Sequence, residues 1–132
     1  MKTYFCGSIR GGREFAETYR DMIGVIKQYG PVLTEHVGHV DLKEARDDRG
    51  IWEQDTGWLR ESDIVIAECS CPSIGVGYEL AYAESRGIPV HVFFRKDRGL
   101  LSAMISGDSY FTVHVYERPE ELPVMIREIY EK

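Results

Sequence analysis

With 132 residues, the chain is long enough for one domain with a single hydrophobic core, spanning residues 1–132, and no second domain is needed. Its 16 Lys and Arg against 22 Asp and Glu give a formal net charge of −6, which argues against binding to long nucleic acid, because such binders gain affinity from a dominant basic face. A small phosphate is still a possible ligand, since a few local donors are enough to hold it.

The chain starts "MKTYFCGS", with neither a long apolar segment nor a cleavage pattern. We therefore expect a cytoplasmic protein that does not span a membrane. Cys6, Cys69 and Cys71 are odd in number and form no C-x-x-C pair. This pattern favours reduced thiols over a disulfide framework or a metal site.

Short apolar runs rich in β-branched and aromatic residues alternate with segments of helical period. The predicted strands cover 3–6, 31–37, 63–69, 88–94 and 110–116. The predicted helices lie between the first two strands, along the stripes Ile51, Trp58, Leu59 and Val76, Leu80, Ala83, over 100–105, and over 119–132. The segment 38–50 has no clear period and is expected to be a connection or a helix entry. This order predicts an α/β fold, a doubly wound (Rossmann or flavodoxin-like) five-stranded parallel sheet with helices on both faces.

Ligands of such sheets bind beyond the carboxyl ends of the strands. The first strand runs into "CGSIRGGRE", 6–14, where glycines, a serine and two arginines precede a helix. Unpaired N–H groups at a helix start attract anions, so this segment is either an anion site or a glycine-rich turn with solvated arginines. It is not a Walker motif, because Gly7 and Gly12 have the required spacing but no Lys-Ser/Thr follows Gly12.

A second loop, Pro72 to Gly77, also offers a hydroxyl before a helix. Loops after neighbouring strands can meet where the strand order reverses. Ser8, Arg10 and Ser73 are therefore candidates to converge on one phosphate.

Two carboxylates stand on helix stripes where apolar side chains are expected. Glu79 shares its stripe with Val76 and Leu80, and Asp55 lies between Ile51 and Leu59. Inward carboxylates cost free energy unless they are hydrogen-bonded or used, so acid, base or nucleophile roles are indicated. The alternatives are that Glu79 stabilises the first turn of its helix through the helix dipole, and that Asp55 caps a neighbouring loop.

The histidines are less informative. His36 ends the second predicted strand, where it can touch a ligand, and forms an H-x-x-H spacing with His39 that only weakly indicates a metal site. His91 and His114 alternate with apolar residues and are expected to be core or edge histidines.

At several points the chain resembles the nucleoside 2-deoxyribosyltransferase family. The matching segments are "YFCGSIRGGRE" (4–14), "VLTEHV" (32–37), "EQD" (53–55) with "WL" (58–59), "PSIGVGYEL" (72–80) and "LSAMI" (101–105). They occur in the same order over most of the chain, and the first and fourth are long enough to be specific. Within the family, the likeness is greatest to members that hydrolyse 2'-deoxynucleoside 5'-monophosphates.

The resemblance implies cleavage of an N-glycosidic bond through a covalent glycosyl-enzyme, with no metal and no cofactor. Glu79 would be the nucleophile, Tyr4 would orient its carboxylate, and Asp55 would act at the base. Further residues match positions that contact phosphate, sugar or base in the family: Gly7, Ser8, Ile9, Arg10, His36, Ser73 and Gly75. The resemblance also implies a homodimer in which Ser102 and Met104 complete the neighbouring site.

Three rival functions stay open. A deoxyribosyltransferase would pass the same intermediate to a second base, and a ribonucleotide N-glycosidase would admit the 2'-hydroxyl. A non-catalytic nucleotide sensor could use the same loops. The serine-rich, arginine-bearing rim favours a monophosphate hydrolase, because transferases of free nucleosides need no phosphate site. A phosphoacceptor receiver domain is disfavoured, since the third predicted strand ends "AEC" without the expected aspartate.

Overall fold

A computed structural model describes residues 1–10, 12–38 and 46–132. Strands and helices alternate over these ranges, as the periodicity predicts. The strands are β1 (Thr3–Cys6), β2 (Ile64–Glu68), β3 (Val90–Arg95) and β4 (Thr112–Tyr116). The α-helices are α1 (Ala16–Ile26), α2 (Asp48–Glu61), α3 (Ile74–Ser85), α4 (Ala103–Ser106) and α5 (Leu122–Glu131). Four short 3-10 helices, Lys27–Tyr29, Glu35–Gly38, Lys96–Arg98 and Pro119–Glu121, complete the described elements.

The four strands form one parallel sheet in the order β1-β2-β3-β4. Thr3 pairs with Ile64, and Val65 pairs with Val90. Because all the strands run the same way, their carboxyl ends meet at one edge, where ligands of α/β proteins bind.

The prediction of a strand over 31–37 is wrong in extent. Only Val32 pairs with Thr3, as an isolated parallel bridge. The hydroxyl of Thr34 then accepts the N–H of Phe5 at 2.8 Å and donates to the Phe5 carbonyl at 2.7 Å. A side chain thus takes the place of the backbone ladder, and the chain turns into the 3-10 helix Glu35–Gly38.

Two buried clusters of apolar side chains pack on the sheet, and each contains residues of a different pair of helices. One cluster joins Phe5 to residues of α1 and α5, including Tyr19 and Ile126. The other joins Tyr4 to residues of α2 and α3, including Leu80. Neighbouring residues of β1 belong to different clusters because side chains alternate along a strand. Both faces of the sheet are therefore covered.

Helices α2 and α3 begin with the side-chain caps that their sequences favour. The carboxylate of Asp47 accepts the N–H of Gly50 at 2.8 Å at the start of α2, and Ser73 caps α3. Asp and Ser are preferred at this position because they satisfy an unpaired N–H group. The sequence predicts a connection or a helix entry over 38–50, and the last residues of this segment, 48–50, are indeed the start of α2. Residues 39–45 lie outside the described ranges. None of the described helices has the length and apolarity to cross a bilayer.

Candidate active site

A cleft of about 1110 Å³ opens at the carboxyl ends of the strands. It lies among the segments that follow β1 and β2, the first turns of α2 and α3, and the segment before α4. Most of the side chains and loop residues expected at the site line this cleft: Tyr4, Gly7, Ile9, Arg10, His36, Asp55, Ser73, Gly75, Glu79 and Ser102. Residues that are far apart in the chain therefore meet in one cavity.

Glu79 lies in the second turn of α3. The helix begins at Ile74, where the Ser73 hydroxyl accepts the N–H of Val76 at 3.3 Å. The first turn of this helix has no acidic residue, and the effect of the helix dipole on charge falls off beyond that turn. The alternative of Glu79 as a first-turn charge is therefore wrong. Glu79 is half-buried and faces the cleft.

The phenol of Tyr4, a residue of β1, donates a hydrogen bond to Oε2 of Glu79 and so fixes its carboxylate. Burial and, to a smaller extent, the nearby carboxylate of Asp55 raise the pKa of Glu79 to about 8, although hydrogen bonds from Tyr4 and Cys6 oppose the shift. Burial and the charge of Glu79 hold the pKa of Tyr4 well above its usual range. Tyr4 therefore remains a donor, and Glu79 is poised between its charged and neutral forms at neutral pH.

Asp55 projects from α2 toward the same cavity. It is half-buried, while Glu53 and Arg60 on the same helix are exposed, as the stripe predicts. Glu53 pairs with Arg49 at 2.9 Å, and Arg60 donates to the hydroxyl of Tyr82 at 3.0 Å. The two anomalous carboxylates, Asp55 and Glu79, thus come from different helices and share one cleft.

The segment after β1 is packed against α1. The N–H of Ser8 donates to the hydroxyl of Tyr19 at 3.0 Å, and Arg13 donates to the Ser8 carbonyl at 3.0 Å. A Cβ on Gly7 would lie 2.8 Å from the Tyr19 ring, so glycine is required for this approach. Ser8 is fully buried rather than cleft-lining, and its hydroxyl has no hydrogen-bond partner among the described residues. The structure therefore does not bring Ser8 to the cleft wall.

Arg10 does reach the cleft, where it is paired. Its guanidinium lies 2.9 Å from the carboxylate of Asp48, in the first turn of α2, and both side chains are largely exposed. Across the cleft, Ser73 and Gly75 begin α3. A Cβ on Gly75 would have only the Ser73 Oγ, at 3.8 Å, near it. An anion could thus approach the N–H groups at the start of α3.

The remaining predicted residues divide into two groups. His36 lines the cleft and packs against Trp58, with ring centroids 5.7 Å apart, but it lies on the 3-10 helix Glu35–Gly38 rather than at a strand end. Ser102 precedes α4 and lines the cleft. Met104 is not a cleft-lining residue and is 82% exposed.

The histidines outside the cleft behave as expected. His91 on β3 and His114 on β4 form a ring-nitrogen hydrogen bond of 2.9 Å, which confirms that they are satisfied strand residues. His39 lies outside the described residues, so the H-x-x-H spacing is not addressed by the structure. Over the described ranges, no three His, Cys, Asp or Glu side chains are grouped to hold a metal ion. Cys6, Cys69 and Cys71 are free and buried.

Two features of the cleft escape the sequence interpretation. Trp52 and Tyr78 line it, and the indole of Trp52 donates to the Tyr78 hydroxyl at 3.1 Å, which joins α2 to α3. Arg98 follows β3, lines the cleft and pairs with Glu14 at 2.8 Å. The position of Arg98 after a parallel strand is the signal that could have found it. A contact between two helices such as that of Trp52 has no local signal.

Comparisons with known proteins identify the family of this chain. Residues 3–122 match the family described as Nucleoside 2-deoxyribosyltransferase. The chain is 44% identical over 137 residues to the 5-hydroxymethyl-dUMP N-hydrolase of Mus musculus, which covers 97% of this chain and 79% of that protein. It is 41% identical over 133 residues to a Syntrophotalea carbinolica protein named "Putative 2'-deoxynucleoside 5'-phosphate N-hydrolase 1", covering 95% and 92% of the two.

Among solved structures, the CMP N-glycosidase of Clostridium botulinum superposes with a TM-score of 0.74 at 14% identity, over 98% of this chain and 99% of that one. At this identity the likeness shows the fold alone. It confirms an α/β fold built on a parallel sheet.

Proposed function

The chain belongs to the nucleoside 2-deoxyribosyltransferase family, and we propose that it hydrolyses the N-glycosidic bond of 2'-deoxynucleoside 5'-monophosphates. The products are a free nucleobase and 2-deoxyribose 5-phosphate. The relatives are named as N-hydrolases, so cleavage of an N-glycosyl bond is the reaction class. The observation that carries the proposal is the half-buried carboxylate of Glu79, held by Tyr4 in the cleft at the carboxyl ends of the strands.

Glu79 acts as the nucleophile. Its charged carboxylate stabilises the cationic character that develops at the anomeric carbon, forms a bond to that carbon as the bond to the base breaks, and is released when water attacks the ester. Tyr4 orients the carboxylate through its hydrogen bond. Asp55 acts at the base side, where it positions the leaving base or supplies its proton.

The start of α3 and the segment after β1 bind the 5'-phosphate. The Ser73 hydroxyl accepts a bond from Val76 and can still donate its hydrogen to a phosphate oxygen. Gly75 leaves room for the anion, and Arg10 supplies a positive charge that is now paired with Asp48. Deoxyribose has no 2-hydroxyl to bind in the transition state, so binding of the remote phosphate must hold the sugar in place.

A doubly wound arrangement fits this placement. The single bridge between Val32 and Thr3 lies on the side of β1 away from β2, and it supports an order in which the segment at Val32 is outermost. The segments after β1 and β2 then flank the point where the strand order reverses, which is where such sheets bind ligands.

We further infer that the protein is a homodimer. Large apolar side chains stand exposed at and near the cleft: Ile74 and Leu100, which line it, are 96% and 97% exposed, and Met104, two positions after cleft-lining Ser102, is 82% exposed. A cluster of this kind costs free energy in water unless a partner covers it. A second copy that covers it would bring Ser102 and Met104 to the neighbouring cleft and explain why Met104 does not line its own.

Incubation with each 2'-deoxynucleoside monophosphate and the matching nucleoside, with and without a second base, tests the function. Chromatography of free base and sugar phosphate should show release from the monophosphates, with the nucleosides much slower. Transfer to the second base would identify a transferase instead, and release from ribonucleotides would identify a ribonucleotide glycosidase. If the protein binds nucleotides but releases no base, the non-catalytic nucleotide sensor is the function that remains.

Glu79→Ala should abolish base release. The matched control is Glu84→Ala, which removes a carboxylate from the same helix outside the set of cleft-lining residues. Equal rates for Glu79→Ala and the parent protein would overturn the assignment of the nucleophile.

A further inference from the structure

Glu68 is a fully buried carboxylate at the end of β2, next to the cleft. Its Oε1 accepts the backbone N–H of Ser70 at 2.8 Å, and its Oε2 accepts the Ser70 hydroxyl at 2.6 Å and the hydroxyl of Tyr116. The Ser70 hydroxyl in turn accepts the N–H of Arg95 at 2.8 Å. One side chain therefore joins the carboxyl ends of β2, β3 and β4.

The contacts suit a charged carboxylate. All three are donations to its oxygens, and hydrogen bonds of this kind stabilise the ionised form. Burial raises the pKa of Glu68, while the bonds from Ser70 and Tyr116 oppose the shift. A buried charge is costly compared with an apolar side chain of similar size, so the position needs another explanation than stability.

The segment fixed by Glu68 supplies that explanation. Residues 69–73 lead from β2 directly to Ser73, the cap of α3, and Ser70, Cys71 and Ser73 all line the cleft. A shift of this segment would move the start of α3, which is also the helix that carries Glu79. Resting on the function proposed above, we propose that Glu68 is a positioning residue that holds segment 69–73 in the conformation that binds the substrate's 5'-phosphate.

The first test measures the segment without any substrate. In Glu68→Gln, the backbone amides of residues 69–76 should exchange with deuterium roughly tenfold faster than in the parent, because a bond to a charged acceptor is lost. The matched control is Thr3→Val, which removes another partly buried hydrogen bond, to Tyr130 at 2.7 Å. Thr3 lies at the amino end of β1, whereas segment 69–73 follows the carboxyl end of β2. Exchange that is unchanged in Glu68→Gln, or equally fast in the control, would overturn the proposal.

The second test measures discrimination by the phosphate. The ratio of kcat/KM for a deoxynucleoside monophosphate to that for its nucleoside should fall roughly tenfold in Glu68→Gln, mainly through KM, and stay constant in Thr3→Val. If the kcat/KM ratio of Glu68→Gln is unchanged while its amides exchange faster, Glu68 holds the segment but does not contribute to phosphate binding. If the parent releases no base at all, the proposed function fails, and the exchange experiment still decides the role of Glu68.

A milder variant covers the case in which Glu68→Gln does not fold. Tyr116→Phe removes one of the three donors to Glu68, and its effects on exchange and on the ratio should have the same sign and be about threefold. Parent-like values of both in Tyr116→Phe, with Glu68→Gln unfolded, would mark Glu68 as structural only.

Discussion

Tyr4 on β1 and Glu79 on α3, 75 positions apart in the chain, share a hydrogen bond inside the cleft. The phenol is the donor, and it favours the charged form of the carboxylate, while burial and Asp55 favour the neutral form. The pKa of Glu79 therefore depends on both Tyr4 and Asp55.

Activity should depend on the charge of Glu79. Its pKa is raised to about 8, and the protonated carboxyl cannot attack carbon. We expect kcat/KM for a deoxynucleoside monophosphate to rise with pH up to about 8 and to level off above it. A pH profile of kcat/KM checks this, and a profile that is flat from about pH 6 to about pH 9 would contradict it.

Variants of the two neighbours should move this rise in opposite directions. Tyr4→Phe removes a hydrogen bond to the charged form, so the rise should move to higher pH; Asp55→Asn removes a nearby negative charge, so it should move to lower pH. Each shift should be about half a unit or more. Tyr82→Phe, which removes a hydroxyl that is bonded to Arg60 and does not line the cleft, is the control and should leave the profile in place. Shifts of the same sign would contradict the assigned contacts.

The same carboxyl should limit stability at high pH. The pKa of Glu79 in the folded protein, about 8, lies above the ordinary value of 4.5. Its contribution to stability is therefore fully present below pH 4.5 and is lost as the pH rises through about 8. Glu79→Gln should be more stable than the parent at alkaline pH, by about 1–3 kcal/mol, with a smaller difference in acid. Urea unfolding at several pH values measures this. An exposed-site control, Glu120→Gln, should show no such pH dependence, and equal curves for Glu79→Gln would refute the prediction.

The ion pair of Arg10 and Asp48 should compete with the substrate. Arg10→Ala should raise KM for a monophosphate roughly tenfold and leave the nucleoside unaffected. Asp48→Asn frees the guanidinium and should lower KM about twofold, because an exposed pair is weak. Steady-state kinetics of the two single variants and the double variant test this. If Asp48→Asn has the same effect without Arg10, the two side chains do not act together.

The homodimer can be tested by mixing inactive variants. Glu79→Gln lacks the proposed nucleophile, and Ser102→Ala lacks a residue that we propose completes the neighbouring cleft. In a mixed dimer one cleft has both defects and the other has neither, so mixing should restore up to roughly a quarter of parent activity. Analytical ultracentrifugation should show a dimer for both variants. Mixtures with no gain over the separate variants would show that Ser102 serves its own cleft.

Much of the fold follows from the apolar patterning. The stripe Val76, Leu80 and Ala83 is buried as predicted, since a helix against a sheet must cover one face. That Glu79 and Asp55 enter the cleft follows from the same periodicity, because each occupies a position on a stripe that otherwise faces inward.

What the sequence does not reveal depends on contacts between distant residues. The apolar pattern of 31–37 predicts a strand, but the Thr34 hydroxyl takes over the hydrogen bonds of Phe5 and ends the ladder. The glycine-rich pattern near Ser8 suggests an open anion loop, but the ring and hydroxyl of Tyr19 bury the serine. Periodicity describes which face of an element is apolar and does not describe a single polar atom on a neighbouring element.

The two tryptophans of the chain have a practical consequence. Trp52 lines the cleft and Trp58 packs against cleft-lining His36, so both indoles lie in or next to the cleft. The protein thus has two intrinsic fluorophores whose emission can respond to a ligand in the cleft. Occupation of the cleft by a nucleotide should be visible as a change in intrinsic emission, which would let affinities be titrated with unlabelled protein, including variants that no longer turn over.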